Sequence, residues 1–367
     1  MNLFQTLIEA ARTPIQEWPQ RYPGYQAMGY LCSYVPEELI HAAGIMPVRL
    51  RGSNAPLQHV DAHLQSFTCA LCRSTLDQAL GGDLKFLIGT VFAHTCDAMQ
   101  AQADLWRLNQ ETNYFVDAVM QPANLGSAAA RPYLIAELNR FRASLSSHMG
   151  RPITDANLEA SIALYDETRR MISSLNRLRT QLSASDYYAI LDAAQVMPRG
   201  IYNPLLQQLL DTPAHDPEST PAAQGPSLFL AGALLDEPRL LTLIDESDAR
   251  IAGDDLCSGS RHFHDQIGTA DDPISALADY YLRRPPCPTK LQPDYQPGQH
   301  LLEQVRQTGA DGVVFVIEKF CEPYAFEYAL VQPDLERAGL PHLILEMEQT
   351  PSLEALRTRL QAFVEML

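Results

Sequence analysis

The sequence FLIGTVFAHTCD, at residues 86–97, is a short apolar run that ends in a histidine, a cysteine and an acid. A helical pattern follows it from Ala98 to Leu108. An apolar run of this length before a helix is typical of a buried parallel strand, and ligands bind at the carboxyl ends of such strands. Cys96 is therefore predicted to lie at a ligand site.

The sequence DGVVFVIEKFCEP, at residues 311–323, repeats this pattern near the C-terminus and brings Cys321 to the end of a second apolar run. A third run, GYLCSYV at residues 29–35, is also predicted to be a strand, with Cys32 at its first turn. Strand and helix patterns alternate in both halves of the chain. We therefore predict the α/β fold class, with two doubly wound domains and parallel sheets.

The chain has 367 residues, of which 46% are hydrophobic, and this length exceeds that of one ordinary core. Helical patterns alone occupy its middle, where Thr154 is a predicted helix start, and a proline-rich segment follows. The predicted units are an N-terminal helical arm at 1–24, a first α/β domain at 25–125, a helical connector at 126–211, a linker at 212–226 and a second α/β domain at 227–367.

The net charge of −17 and the pI near 4.9 argue against nucleic acid or an anionic membrane as a partner. No segment approaches the ~20 apolar residues of a membrane helix, and the N-terminus lacks a basic region before an apolar one. We therefore expect a cytoplasmic protein. In that reducing compartment its seven cysteines would remain thiols, used for packing, metal binding or catalysis.

The positions of the cysteines favour metal binding. Cys32, Cys96, Cys257 and Cys321 follow predicted strands, whereas Cys69 begins a helix, where the helix dipole favours a thiolate. Soft thiolates gathered at one crevice suit an iron–sulfur cluster. We expect Cys69, Cys96 and Cys321 to be ligands. Both ligation and packing remain open for four further cysteines, which are Cys32, Cys72, Cys257 and Cys287.

Several further signals are weaker. The pair Cys69 and Cys72 does not by itself make a zinc site, and the glycine-rich phosphate loops and common hydrolase motifs are absent from the sequence. Histidines that can act as acids or bases, or can be structural, are His94, His262 and His264. Arg261 and Lys290 are candidates for binding an anionic substrate. Glu37 and Glu38 are interpreted as first-turn acids that complement a helix dipole.

Five motifs in order resemble the 2-hydroxyacyl-CoA dehydratase D-component family, which includes benzoyl-CoA reductase subunits. They are GYLCSYVPEEL at 29–39, HTCD at 94–97, DDLCSGSR at 254–261, RPPCPT at 284–289 and KFCEP at 319–323. The resemblance extends from about residue 28 to the C-terminus. It implies an enzyme, a lyase or an oxidoreductase, with two flavodoxin-like domains.

The resemblance further implies a [4Fe-4S] cluster held by Cys69, Cys96 and Cys321. In the family an ATP-hydrolysing iron–sulfur activator injects one low-potential electron, and a ketyl radical forms from the thioester of an acyl-CoA substrate. Loss of the 2-hydroxyl or reduction of a ring then follows. The resemblance also implies a dimer, completed by a homologous subunit or by a second copy of this chain. The resemblance leaves the catalytic side chains unassigned.

The number of cysteines also resembles a branch of this family that carries an [8Fe-9S] double-cubane cluster on six cysteines. Enzymes of that branch are homodimeric ATP-dependent reductases of small molecules. Cys32, Cys69, Cys96 and Cys321 match that scheme, and Cys72, Cys257 and Cys287 compete for the remaining positions. The sequence is also compatible with a non-catalytic partner subunit of a heterodimer and with a structural zinc protein.

Overall fold

The structure, a computed structural model, describes residues 3–179, 181–211, 224–270 and 272–367. Eight strands in these ranges form two four-stranded sheets, and all of their pairings are parallel. The predicted α/β class with two parallel sheets is therefore confirmed. The strands are β1 (Ala27–Leu31), β2 (Met46–Arg49), β3 (Leu87–His94), β4 (Phe115–Met120), β5 (Ser227–Gly232), β6 (Arg250–Asp255), β7 (Gly312–Glu318) and β8 (His342–Met347).

The two sheets have the same topology, with strand orders β2-β1-β3-β4 and β6-β5-β7-β8. In each sheet the second strand is added on one side of the first strand, and the third and fourth strands are added on the other side. The strand order therefore reverses between β1 and β3 and between β5 and β7. Such a reversal opens a crevice at the carboxyl ends of the strands, which is where ligands bind in open α/β sheets. Cys32 and Cys96 follow β1 and β3, and Cys321 follows β7, so all three lie at these reversals.

The α-helices of the described residues surround both sheets. They are α1 (Leu3–Arg12), α2 (Trp18–Arg21), α3 (Glu37–Ala42), α4 (Ala70–Gly81), α5 (Asp97–Asn109), α6 (Ala130–Met149), α7 (Asp155–Leu175), α8 (Ala184–Val196), α9 (Arg199–Asp211), α10 (Pro238–Glu246), α11 (Pro273–Arg283), α12 (Pro297–Thr308), α13 (Glu322–Ala338) and α14 (Leu353–Met366).

The central part of the chain is helical, as the sequence predicts, and contains α6 to α9. Thr154 is the N-cap of α7, where it forms a capping box with Asn157, so the predicted start is confirmed. Helix α1 packs on α8 and buries Phe4 and Leu7, which makes it part of the main core. The domain boundaries remain predictions, and residues 212–223 of the predicted linker lie outside the described residues.

The strand predicted at residues 29–35 differs in its bounds, since β1 ends at Leu31. The reason is that Cys32 has a φ of 81°, a left-handed conformation that terminates a strand. Phe320, immediately before Cys321, has a φ of 68°. Positive φ angles at non-glycine residues are strained and occur often at functional sites.

Two buried arginines join the two halves beside cysteine-containing turns. Arg49 at the end of β2 donates from Nη1 to the carbonyl oxygen of Cys257 at 2.8 Å. Arg284 donates from Nη1 to the carbonyl oxygen of Ser33, also at 2.8 Å. Because a buried carbonyl needs a donor, these contacts hold the turns of one half against the other.

Within the described residues, no helix has both the length and the apolar character needed to cross a bilayer.

Candidate functional site

A cavity of about 750 Å³ lies where the loops after the two sheets meet. Residues 64–101 of the first half and 286–330 of the second half contribute to its lining. Four cysteines line it, and they are Cys69, Cys96, Cys287 and Cys321. The three residues predicted to be ligands are thus brought to one cavity from separate parts of the chain.

The same local structure presents each of these three thiols. Cys69 is the N-cap of α4, Cys96 the N-cap of α5 and Cys321 the N-cap of α13. The first turn of a helix has unpaired N–H groups and the positive end of the helix dipole, both of which favour a negative sulfur. The sequence indicates this position for Cys69, and the structure extends it to Cys96 and Cys321.

Burial and hydrogen bonding act in opposite directions on these thiols. Burial raises the pKa of Cys96 to about 11, although the N–H of Met99 opposes this effect. Burial likewise raises the pKa of Cys321, against the N–H of Tyr324. The pKa of Cys69 is lowered by a hydrogen bond from the Cys72 thiol. A positive ligand would be needed to hold all three as thiolates, since metal binding requires the deprotonated form.

A second group of thiols adjoins the first. Burial raises the pKa of Cys287 to about 12, and the thiols of Cys257 and Cys32 raise it further. Cys257 Sγ lies 3.0 Å from the hydroxyl of Tyr324. Thr95 Oγ1, beside Cys96, donates to Cys32 Sγ at 3.8 Å. Cys32, Cys257 and Cys287 therefore lie together, next to the three helix N-caps.

Cys72 occupies a different position. It is completely buried within α4 and belongs to the main hydrophobic core. Its carbonyl oxygen accepts from Gln102 Nε2 at 2.8 Å. Its thiol adjoins the N-cap thiols from the core side: a hydrogen bond to Cys69 and burial raise the pKa of Cys72, and the nearby thiols of Cys96 and Cys321 raise it further.

The donor set and the space fit a cluster better than a single ion. In the described parts of the chain, no three His, Cys, Asp or Glu side chains are arranged to hold one metal ion. One ion requires every ligand atom within about 2.3 Å of a single point. A polynuclear cluster separates its ligands, and a cavity of about 750 Å³ has room for one. Thiols are the ligands that such clusters use.

The three candidate histidines differ in their surroundings. His94 is the last residue of β3. His262 is buried, with Nε2 2.9 Å from a carboxylate oxygen of Glu37, and burial lowers the pKa of His262 to about 4. Burial also lowers the pKa of His264. None of these three is among the residues that line the cavity.

The two candidate cations differ in their availability. Arg261 is buried and binds Asp255 through two hydrogen bonds, Nε to Oδ1 at 2.5 Å and Nη2 to Oδ2 at 2.6 Å. Its charge is therefore already used within the fold. Lys290 lines the cavity, where burial lowers its pKa, and its Nζ donates to the carbonyl oxygen of Gln121 at 3.4 Å.

Glu37 and Glu38 are more than first-turn acids. Both are buried, and Glu37 accepts from Tyr30 at 2.9 Å and from Arg199 at 3.2 Å, whereas Glu38 pairs with Arg169. The sequence contains no local signal for these pairs, because the arginines lie on helices more than a hundred residues away. Glu327 and Tyr295 also line the cavity, and no motif in the sequence marks either residue.

These features define a class of protein: an α/β protein of two parallel sheets with a thiol-lined cavity at the carboxyl ends of its strands. The 2-hydroxyglutaryl-CoA dehydratase D-component family matches residues 32–367. Because that match covers most of the chain, the chain belongs to this family. The predicted resemblance is confirmed, and so is the expectation of an enzyme of dehydratase or reductase type.

Curated relatives are similar over nearly their whole length. The (R)-phenyllactyl-CoA dehydratase beta subunit of Clostridium sporogenes is 29% identical, covering 100% of this chain and 98% of the relative. A benzoyl-CoA reductase subunit of Thauera aromatica is 28% identical, covering 96% and 94%. The lactoyl-CoA dehydratase subunit beta of Anaerotignum propionicum is 28% identical, covering 94% and 92%. Each is named as a subunit of an enzyme.

Proposed function

We propose that this chain is the iron–sulfur subunit of a 2-hydroxyacyl-CoA dehydratase or acyl-CoA reductase. The observation that carries the proposal is the set of three helix N-cap thiols, from both halves of the chain, at one cavity. Cys69, Cys96 and Cys321 would hold a [4Fe-4S] cluster. When bound, the cluster would supply a low-potential electron to the substrate thioester.

The side chains around the thiols have roles in binding. Lys290 is placed to attract an anionic group of the substrate. Phe67, Phe326 and Leu330 line the cavity with exposed apolar surface that can contact an acyl group and exclude water. These contacts would select the substrate by the shape and polarity of its acyl part.

The proposal includes two partners and a compartment. The relatives are subunits, which supports pairing with a homologous subunit or with a second copy of this chain. Electrons would come from an ATP-hydrolysing iron–sulfur activator. The thiols must stay reduced, so we propose a cytoplasmic location.

A second candidate function rests on the second group of thiols. Cys32, Cys257 and Cys287 lie next to the three N-cap cysteines, which would allow one chain to bind a larger cluster. In that case the protein would be a homodimeric ATP-dependent reductase with an [8Fe-9S] double-cubane cluster. Cys72 is completely buried, and its thiol hydrogen-bonds to that of Cys69, so it competes with Cys257 and Cys287 for the remaining ligand positions.

Iron analysis of the anaerobically purified protein tests the proposal. We expect about four irons per chain for a single cluster and about eight for the double form. Cys96→Ala and Cys321→Ala should each abolish the cluster and its visible absorption, because each removes a ligand. Cys257→Ala should lower the iron content only in the double form.

Ser66→Ala is a matched control, since Ser66 is an exposed residue in the loop before Cys69. It should retain the full iron content. A chain that stays free of iron after reconstitution would contradict both candidate functions and favour the non-catalytic subunit, whereas zinc in place of iron would favour the structural zinc protein.

A further inference from the structure

Glu327 is an acid in the thiol-lined cavity to which the proposed function gives no role. It lies on α13, six residues after Cys321, and both residues line the cavity. Its side chain is only 13% exposed. A carboxyl group this far from solvent needs a compensating partner.

The partner that Glu327 faces is already occupied. Arg261 Nη2 lies 3.8 Å from Glu327 Oε2, whereas the same guanidinium makes two hydrogen bonds of 2.5 Å and 2.6 Å to Asp255. A bidentate contact is the stronger arrangement. Two carboxyl groups therefore share one cation, and Glu327 is the one left in excess.

The pKa values of the two acids separate for this reason. Burial would raise the pKa of Asp255, but Arg261 outweighs it and lowers that pKa. Burial raises the pKa of Glu327 to about 7, because Arg261 compensates only in part and Asp255 adds repulsion. A carboxyl that is close to half protonated at neutral pH can accept and release a proton equally well.

The groups that face this pair come from several elements. Tyr324 of α13 is uncharged, and its hydroxyl accepts a hydrogen bond from Arg261 Nη1 at 3.1 Å. Burial raises the pKa of Tyr295, which precedes α12, and the carboxylates of Asp255 and Glu327 raise it further. His300 of α12 lies near Asp255 and Arg261. Lys290 lines the same cavity from the opposite loop.

We propose that Glu327 is the catalytic proton-transfer group of this cavity. The inference rests on the proposed function. In dehydration, once the thioester carbonyl has accepted the electron, the C–O bond to the 2-hydroxyl would break and release hydroxide. The neighbouring carbon would then lose a proton to Glu327 Oε, and the hydroxide would take that proton from Glu327 to become water. The electron supplied by the activator returns after each turnover, so the net change is loss of one water. In a reduction, Glu327 would instead donate a proton.

The variant Glu327→Gln tests this role because it keeps the size of the side chain and removes proton transfer. The iron-loaded protein with its partner subunit is reduced with titanium(III) citrate and assayed with phenyllactyl-CoA, lactoyl-CoA and benzoyl-CoA as probes. We expect turnover to fall by about 10²- to 10⁴-fold with unchanged iron content and unchanged spectrum of the cluster. Glu336→Gln, an exposed residue of the same helix, is the control and should retain activity.

The pH profile separates proton transfer from a structural role. For dehydration, kcat/KM should rise through about pH 7, because Glu327 must be deprotonated. For reduction, it should fall above that pH. Asp255→Asn would release Arg261 to pair with Glu327, so the pH-dependent change in kcat/KM should move to lower pH in this variant. The same change should be absent from Glu327→Gln.

Infrared difference spectra with ¹³C-labelled glutamate give a measurement that does not need turnover. The unmodified protein should show a carboxyl group whose protonation has its midpoint near neutral pH, and Glu327→Gln should lack this signal. Its absence from the unmodified protein, or full activity of Glu327→Gln, would overturn the inference. Failure of the unmodified protein to bind iron contradicts the proposed function instead, and the carboxyl titration then decides the state of Glu327.

Discussion

At the scale of single residues, burial decides which groups carry charge. Burial would raise the pKa of Glu37, but His262 and Arg199 outweigh it and lower the pKa to about 2. Burial lowers the pKa of His262 to about 4 despite the nearby carboxylate. At neutral pH the fold therefore contains an ionised Glu37, paired with Arg199, beside a neutral imidazole.

This state predicts a pH dependence of stability. Between about pH 6.5 and 4 the unfolded chain binds a proton on His262 that the folded chain does not bind, so the free energy of unfolding should fall as the pH falls. One such proton contributes at most about 1.4 kcal/mol per pH unit. Urea denaturation of His262→Gln should show a shallower decline over this range. His63→Gln, at an exposed position, should decline as the unmodified protein does.

At the scale of elements, short strand-to-helix connections present the thiols. One residue separates the end of β3 from Cys96, which is the N-cap of α5. Two residues separate the end of β7 from Cys321, which is the N-cap of α13. Such short connections give each sulfur little freedom to move, so the position of a strand end determines the position of its thiol. The packing of β5 against β7 is therefore part of the site.

Gly232, the last residue of β5, tests this dependence. Its φ is 126°, and a Cβ at this position would overlap the carbonyl oxygen of Val316 in β7. Gly232→Ala should lower the free energy of unfolding by roughly 2–4 kcal/mol and displace the end of β7, with loss of iron per chain.

The control for this variant is Gly200→Ala in α9, where a Cβ meets no atom within 4 Å. This change should leave the iron content intact and stabilise the protein by about 0.4–1 kcal/mol, through the lower entropy of the unfolded chain. Equal iron in both variants would show that the end of β7 does not govern the site.

At the scale of the whole molecule, the helices between the two sheets hold both halves through buried ion pairs. Arg179, after α7, binds Asp254 Oδ2 at 2.7 Å. Asp254 Oδ1 accepts from the backbone N–H of Ser260 at 2.7 Å and so shapes the turn that contains Cys257. The middle of the chain thus supports the second half of the site without lining it.

Arg179→Met should therefore lower the free energy of unfolding by about 3–5 kcal/mol, because it leaves the fully buried Asp254 without its cation. Denaturation followed by fluorescence and circular dichroism measures the change. Arg306→Met, at an exposed position of α12, should shift stability by less than about 0.5 kcal/mol. Equal stability of the two variants would mean that this pair does not hold the middle of the chain to the second half.

The sequence by itself determined the two parallel sheets, the helical middle and the places of Cys69, Cys96 and Cys321 at element ends. These features follow from the spacing of apolar residues and from capping, which act within a few neighbouring residues. The tertiary structure alone decided that Arg261 binds Asp255 and that Glu37 is buried with Arg199. It also left Glu327 with an incomplete partner. Such partnerships depend on how distant segments pack and on how much water they exclude, and neither property is encoded in a local pattern.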